Sequence, residues 1–493
     1  MSTSRTQSRA AGAEPVAGPP GEDSQAATGD LAVHLVTFGC QMNKYDSLLV
    51  EGRFRKAGHR ITASMEDADV ILFNTCSVRE HAEERVYSWL GELRREKERR
   101  PKLLIGVLGC LAQRAQEEVF KRAGHVDLVV GTRRFHRLPE LVSDLRERRA
   151  DPERGRPRDQ RVLDVEMDDA VAVPRAGETY TGGLQGYLAV MRGCDLNCTY
   201  CIVPKTRGRV MSRPVQALVD EATWMVGQGA KVITLLGQTV NSYGEDLPEP
   251  APGEPRGTGR RGRPSLADLM RALQEVDGLE RIRLITLHPS YVTVALAEAI
   301  RDCDKVDRFL PLPAQAGSDD VLRAMKRGYT TDLYRGRVAL LREIVPDIEL
   351  CSDWIVGFPG ESESDFQASL DFLDEIGFAQ NYVFKYDPRP ETAAHERADD
   401  VSTQEKKDRN RRLLAQAERT QFNRLQAWVG RELDVFVEEV SDRYPGFLKG
   451  RSHHGLPVAF EGDAELVGRS VRVRAAESTP FGLTGELVEV AAS

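Results

Sequence analysis

The sequence predicts an α/β protein in three parts: an N-terminal parallel α/β domain, a partial (β/α)6 barrel, and a small C-terminal β-barrel of the OB type. Three patterns predict it. Over 31–146 apolar runs alternate with helical segments, as a parallel sheet requires. Over 180–415 a strand-then-helix rhythm supplies six βα units. Over 425–490 short strands separated by glycines suit a small barrel.

In order along the chain, residues 1–30 are small, polar and Pro/Gly-rich and read as a disordered tail. The first domain offers the strands HLVTFGC, DADVILFNTC, KLLIGVLGC and VDLVVG, with helices over 44–57 and 80–99. An Arg-, Asp- and Pro-rich linker is expected over 147–178. The barrel strands are YLAVMRG, VITLLGQ, IRLITLHP, FLPLPAQ, CSDWIVGFPG and NYVFKYDP, interrupted by a surface loop over 245–264. A charged helix over 405–424 leads to the last strands, ELDVFVEEV, GFLKGRS, LPVAFEG, SVRVRAA and TGELVEV.

At 493 residues, 41% hydrophobic and 29% charged, the chain has the make-up of an ordinary soluble protein with room for about three domains. No run approaches the ~20 apolar residues of a membrane span, and no export signal is evident, so a cytoplasmic location without a membrane partner is expected. A net charge of −8 gives no general affinity for nucleic acid; an RNA would have to be held by local patches such as Lys449, Arg451, Arg469, Arg472 and Arg474.

In that setting the eight cysteines are expected as ligands or core residues rather than disulfides. Cys194-x-x-x-Cys198-x-x-Cys201 sits in a loop after an apolar strand. Three thiolates are one short of a closed zinc site, whereas an iron–sulfur cluster on three cysteines keeps one iron open. The spacing favours the cluster over zinc or plain buried thiols. Cys40, Cys76 and Cys110 each end an apolar strand, so parallel pairing would bring all three to one sheet edge, where α/β sheets build sites. A second three-thiolate cluster is the expectation, with core packing the alternative. Gly39 and Gly109 leave room for an inorganic core there. Cys303 and Cys351 read as packing residues.

With these motifs the chain resembles the radical S-adenosylmethionine (SAM) enzymes through its cysteine triplet. Through TFGCQMNKYDS, NTCSVRE, GCLAQ, LLGQTVNSYG and SDWIVGFPGES it resembles the methylthiotransferases among them. The wording TFGCQMN and NTCSVRE is similar to the branch acting on N6-isopentenyladenosine at position 37 of tRNA. Its rivals act on threonylcarbamoyl-adenosine or on a ribosomal-protein aspartate. The resemblance implies a radical SAM barrel and a C-terminal RNA-binding TRAM domain. It implies two [4Fe–4S] clusters, on Cys194, Cys198 and Cys201 and on Cys40, Cys76 and Cys110. SAM would chelate the open iron of the first, and an electron would cleave it to a 5′-deoxyadenosyl radical, since sulfur insertion at an unactivated C–H needs cofactor chemistry. The implied partners are the tRNA anticodon stem-loop, an external electron donor and a sulfur source, with a monomeric enzyme. A non-catalytic iron–sulfur RNA-binding protein is the alternative of another class.

Gly237, Gln238 and Asn241 follow the second barrel strand and are expected to meet SAM, or else to cap a turn. Arg207 would meet its carboxylate or an RNA phosphate. Gln315, Ser318 and Asp353, at later strand ends, would line the pocket. The chain departs from the family wording at Ala316, Lys205 and Glu391, the last at a position where glycine is common.

Overall fold

The structure is a computed structural model that describes residues 31–77, 80–151, 157–167 and 180–490, the side chains of 80, 81, 157 and 158 excepted. The expected N-terminal tail lies outside these residues.

The first domain is a six-stranded parallel sheet: β1 (Ala32–Phe38), β2 (Arg60–Ile61), β3 (Val70–Thr75), β4 (Leu104–Leu108), β5 (Leu128–Val130) and β6 (Val162–Asp164), in the order β2-β1-β3-β4-β5-β6. Alternate residues of each strand point to opposite faces, and both faces are buried. Val33, Val70, Leu72, Leu104 and Leu128 pack under the helices Gln41–Lys56 and Leu138–Ala150. Ile71, Phe73, Ile105, Val107 and Val129 face Val86, Leu90 and Leu93 of the helix Glu80–Arg99. The order reverses direction between β1 and β3, the switch point at which such sheets leave a crevice.

Two expectations are corrected here. Within the linker expected over 147–178 the helix Leu138–Ala150 runs on to 150 and β6 joins the sheet beside β5, while 152–156 and 168–178 lie outside the described residues. The strand is hidden in a charged stretch because Asp164 is buried by pairing, accepting from Arg134 Nε at 2.6 Å and Arg137 Nη1 at 2.8 Å. The first helix starts at Gln41 rather than 44, because Cys40 is its N-cap.

The second domain has β7 (Gln185–Ala189), then the two-residue pair β8 (Met191–Arg192) and β9 (Met211–Ser212), then β10 (Val232–Leu236), β11 (Arg281–Leu284), β12 (Phe309–Pro311), β13 (Glu349–Val356) and β14 (Gln380–Lys385). Two parallel three-stranded sheets, β7-β10-β11 and β12-β13-β14, meet at a parallel bridge between Ile282 and Val306. Each of the six strands lies beside its sequence neighbour, which is the expected incomplete barrel. The helix Thr403–Gln426 covers its edge strand β14. The loop over 245–264 is held by Arg261 and Arg263 on Glu249, at 2.9 and 3.1 Å.

The third domain is a closed five-stranded barrel in the order β15-β16-β17-β19-β18, with β15 (Glu432–Val440), β16 (Phe447–Ser452), β17 (Pro457–Glu461), β18 (Ser470–Thr479) and β19 (Gly482–Val490). It is packed around Val435, Val437, Leu448, Val458, Phe460 and Val473. It docks on the amino ends of the large barrel's strands through Arg281–Asp434 and Arg283–Glu438, both at 2.6 Å. Glu349, 1% exposed, receives Trp428 Nε1 at 2.6 Å and Arg424 Nε at 2.8 Å. Of the expected basic patch, Lys449 and Arg474 are paired with Glu439 and Glu432 at 3.3 and 2.8 Å. No helix among the described residues is long and apolar enough to cross a membrane.

Removing Glu349 leaves Trp428 Nε1 and Arg424 without their acceptor in a buried seam, at a cost of about 3 kcal/mol. Glu349→Ala is expected to lower the thermal midpoint and to speed proteolysis between barrel and C-terminal domain; a parent-like melting curve would contradict this seam.

Candidate active site

The triplet loop hangs between the barrel and the short pair β8–β9. Gly193, at φ +75°, turns the chain where a Cβ would strike the Arg209 carbonyl, so the loop closes on itself at its base. Cys194 N donates to Gly208 O at 3.1 Å and Cys201 N to Cys198 O at 3.0 Å. Cys194 and Cys198 stand close enough to Cys201 to disfavour its ionisation, and Cys198 acts likewise on Cys194. Burial pushes Cys201 up to about 12 and raises Cys194 as well. These protons have to leave when a metal centre binds. Two partners of the sulfurs were not singled out from sequence: Thr239 Oγ1 lies 3.5 Å from Cys194 Sγ, and Arg327 Nη1 donates to Cys198 Sγ at 3.3 Å. Thr239 sits within the LLGQTVNSYG wording, between residues that were expected; Arg327 carries no local signal.

Cys40, Cys76 and Cys110 come together at the carboxyl ends of β1, β3 and β4, adjacent in the sheet with Phe38 opposite Thr75 and Asn74 opposite Leu108. Cys40 and Cys76 flank the switch point. The Cys40 thiol is lowered to about 5, first by a hydrogen bond with Cys76, against the effect of burial, with the Arg207 charge assisting. Cys40 caps the helix Gln41–Lys56 and Cys110 lies in the first turn of Gly109–Ala115. Helix N-termini favour thiolates. Burial raises Cys110, opposed by Arg207. Asn74 Nδ2 donates to Asn43 O and Ser47 Oγ, both at 2.9 Å, and Asn43 Nδ2 donates to Asn74 Oδ1 at 3.2 Å. This buried amide pair locks two of the thiol-bearing turns together. Gly39 is at φ +138° with its missing Cβ against Cys76, and Gly109 at φ +84° against Asn74.

All eight cysteines are free thiols. Among the described residues no three His, Cys, Asp or Glu side chains are arranged to hold a single metal ion.

One cavity of about 1530 Å³ lies between the first domain and the barrel: it runs from Phe38, Gly39 and Gln41, on either side of Cys40, past Tyr200 and Cys201 into the barrel. That volume exceeds the ~300–1,000 Å³ of a single small-molecule pocket. Barrel positions that alternate inward line it, among them Tyr187, Thr234, Arg283, Asp353, Tyr382 and Phe384. Tyr382 and Phe384 are 45% and 40% exposed, since β14 is the open edge of the incomplete barrel. The first domain closes the mouth, with Met42 and Tyr45 packed on Ala189 and Leu236 at the carboxyl ends of β7 and β10.

The expected SAM-contacting residues divide. Gln315, at φ +67°, and Asp353 line the cavity. Among the described residues both amide atoms of Gln238 and Oε1 of Gln315 are buried without a hydrogen-bond partner, which suits a polar ligand. The other expected residues have local roles within the protein. Asn241 has its amide committed to the His288 backbone, donating to O and accepting from N at 2.9 Å each. Ser318 caps the helix Asp319–Ala324 and donates to Asp365 Oδ1 at 2.5 Å. Gly237 is bare because Met191 packs where a Cβ would stand. Arg207 is displaced too, lying with the other trio: it is 6% exposed and paired with Asp46 Oδ2 at 2.8 Å. Of the packing cysteines, Cys303 lies in the barrel core, whereas Cys351 faces the cavity. Lys205 and Glu391, both departures from the family wording, meet each other at 4.0 Å; Glu391 sits at φ +70°, the reason glycine suits that position.

Known proteins similar to the chain match this architecture part by part. A profile described as "Uncharacterized protein family UPF0004" covers residues 32–131, the Radical SAM superfamily 188–373 and the TRAM domain 426–488. A tRNA-2-methylthio-N(6)-dimethylallyladenosine synthase of Alkaliphilus oremlandii is 38% identical over 92% of this chain and 92% of its own. One of Methylococcus capsulatus is 40% identical over 93% of this chain and 96% of its own. A solved radical S-adenosylmethionine methyltransferase, TsrM from Kitasatospora setae, with cobalamin and a [4Fe-4S] cluster bound, superposes with a TM-score of 0.52. It covers 74% of each chain at 15% identity, a likeness of fold.

Gly39→Ala forces a side chain into a left-handed turn and against Cys76. It is expected to cost about four irons per chain after anaerobic reconstitution, with the triplet's complement retained. Full iron and sulfide content in this variant would contradict the close packing of the second trio.

Proposed function

The chain belongs to the family of tRNA-2-methylthio-N(6)-dimethylallyladenosine synthases, and we propose that it performs their reaction. In this reading it adds a methylthio group at C2 of N6-isopentenyladenosine 37 in the anticodon loop of tRNA. The observation that carries the reading is a cavity lined by Cys201 of the triplet and by Gly39 and Gln41, the neighbours of Cys40.

Cys194, Cys198 and Cys201 are the residues to hold the [4Fe–4S] cluster of a radical SAM enzyme, and Cys40, Cys76 and Cys110 a second one. The chemistry supplied by the first cluster with SAM is a carbon-centred radical, and by the second a site presenting sulfur. The protein's own part is placement. Gln238 and Gln315 offer unpartnered amide atoms at the strand ends, where SAM would be oriented. Thr239 and Arg327 direct hydrogen-bonding groups at the triplet sulfurs, the kind of outer contact that tunes a cluster. Met42 and Tyr45 hold the first domain over the barrel mouth, against Ala189 and Leu236. An adenine must leave its stack to reach this depth, and Tyr382 and Phe384 offer aromatic faces on the open side. An external electron donor and a sulfur source complete the requirements, and the enzyme is read as a cytoplasmic monomer.

Nucleoside mass spectrometry of tRNA from a strain lacking the gene is expected to show 2-methylthio-isopentenyladenosine lost and isopentenyladenosine accumulated. An unchanged methylthio-isopentenyl nucleoside together with loss of a methylthio-threonylcarbamoyl one would transfer the assignment to the rival branch. In vitro, Cys198→Ala is expected to abolish 5′-deoxyadenosine formation. Cys76→Ala should still cleave SAM yet give no methylthio product, and product from it would defeat the two-cluster reading.

A further inference from the structure

We propose that Arg207 is a positioning residue for the trio Cys40, Cys76 and Cys110, delivered to it by the loop that carries Cys194, Cys198 and Cys201. The inference rests on the reading that both trios hold clusters.

The helix Val203–Arg207 begins two residues after Cys201 and ends at Arg207. Five helical residues span only about 7–8 Å. Its first turn therefore belongs to one site and its last residue to the other. The far end is fixed by the first domain: Thr132 Oγ1 donates to Thr206 O at 2.6 Å, and Arg133 donates to Arg207 O from Nε at 3.2 Å and from Nη2 at 3.0 Å. The Arg207 side chain, buried in turn, donates from Nη2 to Asp46 Oδ2 at 2.8 Å, and no other acceptor engages the guanidinium among the described residues. Asp46 is 0% exposed and its Oδ1 has no partner among them.

A carboxylate at that burial needs a cation, and a cluster on three thiolates would add negative charge beside it. The arginine is the group that balances both. Its helix packs on Gly109–Ala115, which carries Cys110, and its partner Asp46 stands on the helix that Cys40 caps. It comes from the domain that holds the other trio, so the second site is electrostatically complete only while the two domains are docked. Asp46 and Arg207 lie 161 positions apart, which is why neither motif reveals the other.

The test uses the full chain in two backgrounds, each loaded anaerobically with iron and sulfide. With Cys194, Cys198 and Cys201 changed to Ala, only the second trio can be loaded; with Cys40, Cys76 and Cys110 changed, only the first. Reductive titration followed by electron paramagnetic resonance reads each midpoint potential. In the first background Arg207→Ala is expected to shift the potential downward, because adding an electron beside a lost positive charge is harder, or to lose the four irons outright while the thermal midpoint holds. Arg207→Lys keeps the charge without the fork, stands in should the alanine variant fail to fold, and is expected to shift it less in the same direction. In the second background neither change should move the potential. Equal shifts in both backgrounds, or no shift or iron loss in the first for either variant, overturns the proposal. Failure of the first background to bind iron with Arg207 intact is a separate result: it overturns the reading of the second trio, and the proposal with it.

Discussion

The site depends on one seam, where the helix Gln41–Lys56 lies across the carboxyl ends of the first barrel strands. Met42 and Tyr45 fill that seam against Ala189 and Leu236. Everything that has to be near something else follows from it. Cys40 is the residue before the helix, so seating the helix also aims the crevice of the first sheet into the barrel. Had the two α/β units packed side by side, each trio would sit at the mouth of its own domain with no shared space. The cavity between them exists because two sheets present their carboxyl ends to one another.

The seam carries buried charge as well as apolar contact. Asp46 and Arg207 meet across it with almost no exposure, and such a pair adds little net stability but strongly disfavours any arrangement that separates its members. Arg133 reinforces the same point by gripping backbone carbonyls on the barrel side. The apolar contacts hold the domains together; the ionic ones set the register in which they meet. At the opposite face the C-terminal barrel uses the same device, with Arg281 and Arg283 on Asp434 and Glu438. There the carboxylates are the C-terminal barrel's own, and the amino ends of the strands are sealed rather than opened.

The barrel is left incomplete on one side only. The β14 edge is covered outside by the helix Thr403–Gln426, yet on the inside Tyr382 and Phe384 stay half exposed. A closed eight-stranded barrel would be filled by its own side chains. Stopping at six strands leaves a groove wide enough for a ligand larger than SAM, lined by two aromatic faces. A nucleobase withdrawn from a stacked loop needs a surface of that kind.

By itself the sequence determined the parallel α/β rhythm and the glycine-punctuated last barrel, and it singled out both cysteine trios as candidates, because strand-end thiols and a tight three-cysteine loop are local patterns. It also determined which strand ends face the cavity, so Gln315 and Asp353 were legible in advance. Only the tertiary structure decided which polar groups were left over for a ligand. Asn241 and Ser318 looked available and are committed to His288 and Asp365, partners far away in the chain. Arg207 looked like a contact for the carboxylate of SAM or an RNA phosphate and turned to the second trio, because a buried carboxylate on another domain stood within reach. The strand Val162–Asp164 was unreadable for the same reason: its charge is neutralised by Arg134 and Arg137, some thirty residues earlier. Hydrophobic period is a property of neighbours along the chain, whereas the satisfaction of a buried polar group is a property of neighbours in space.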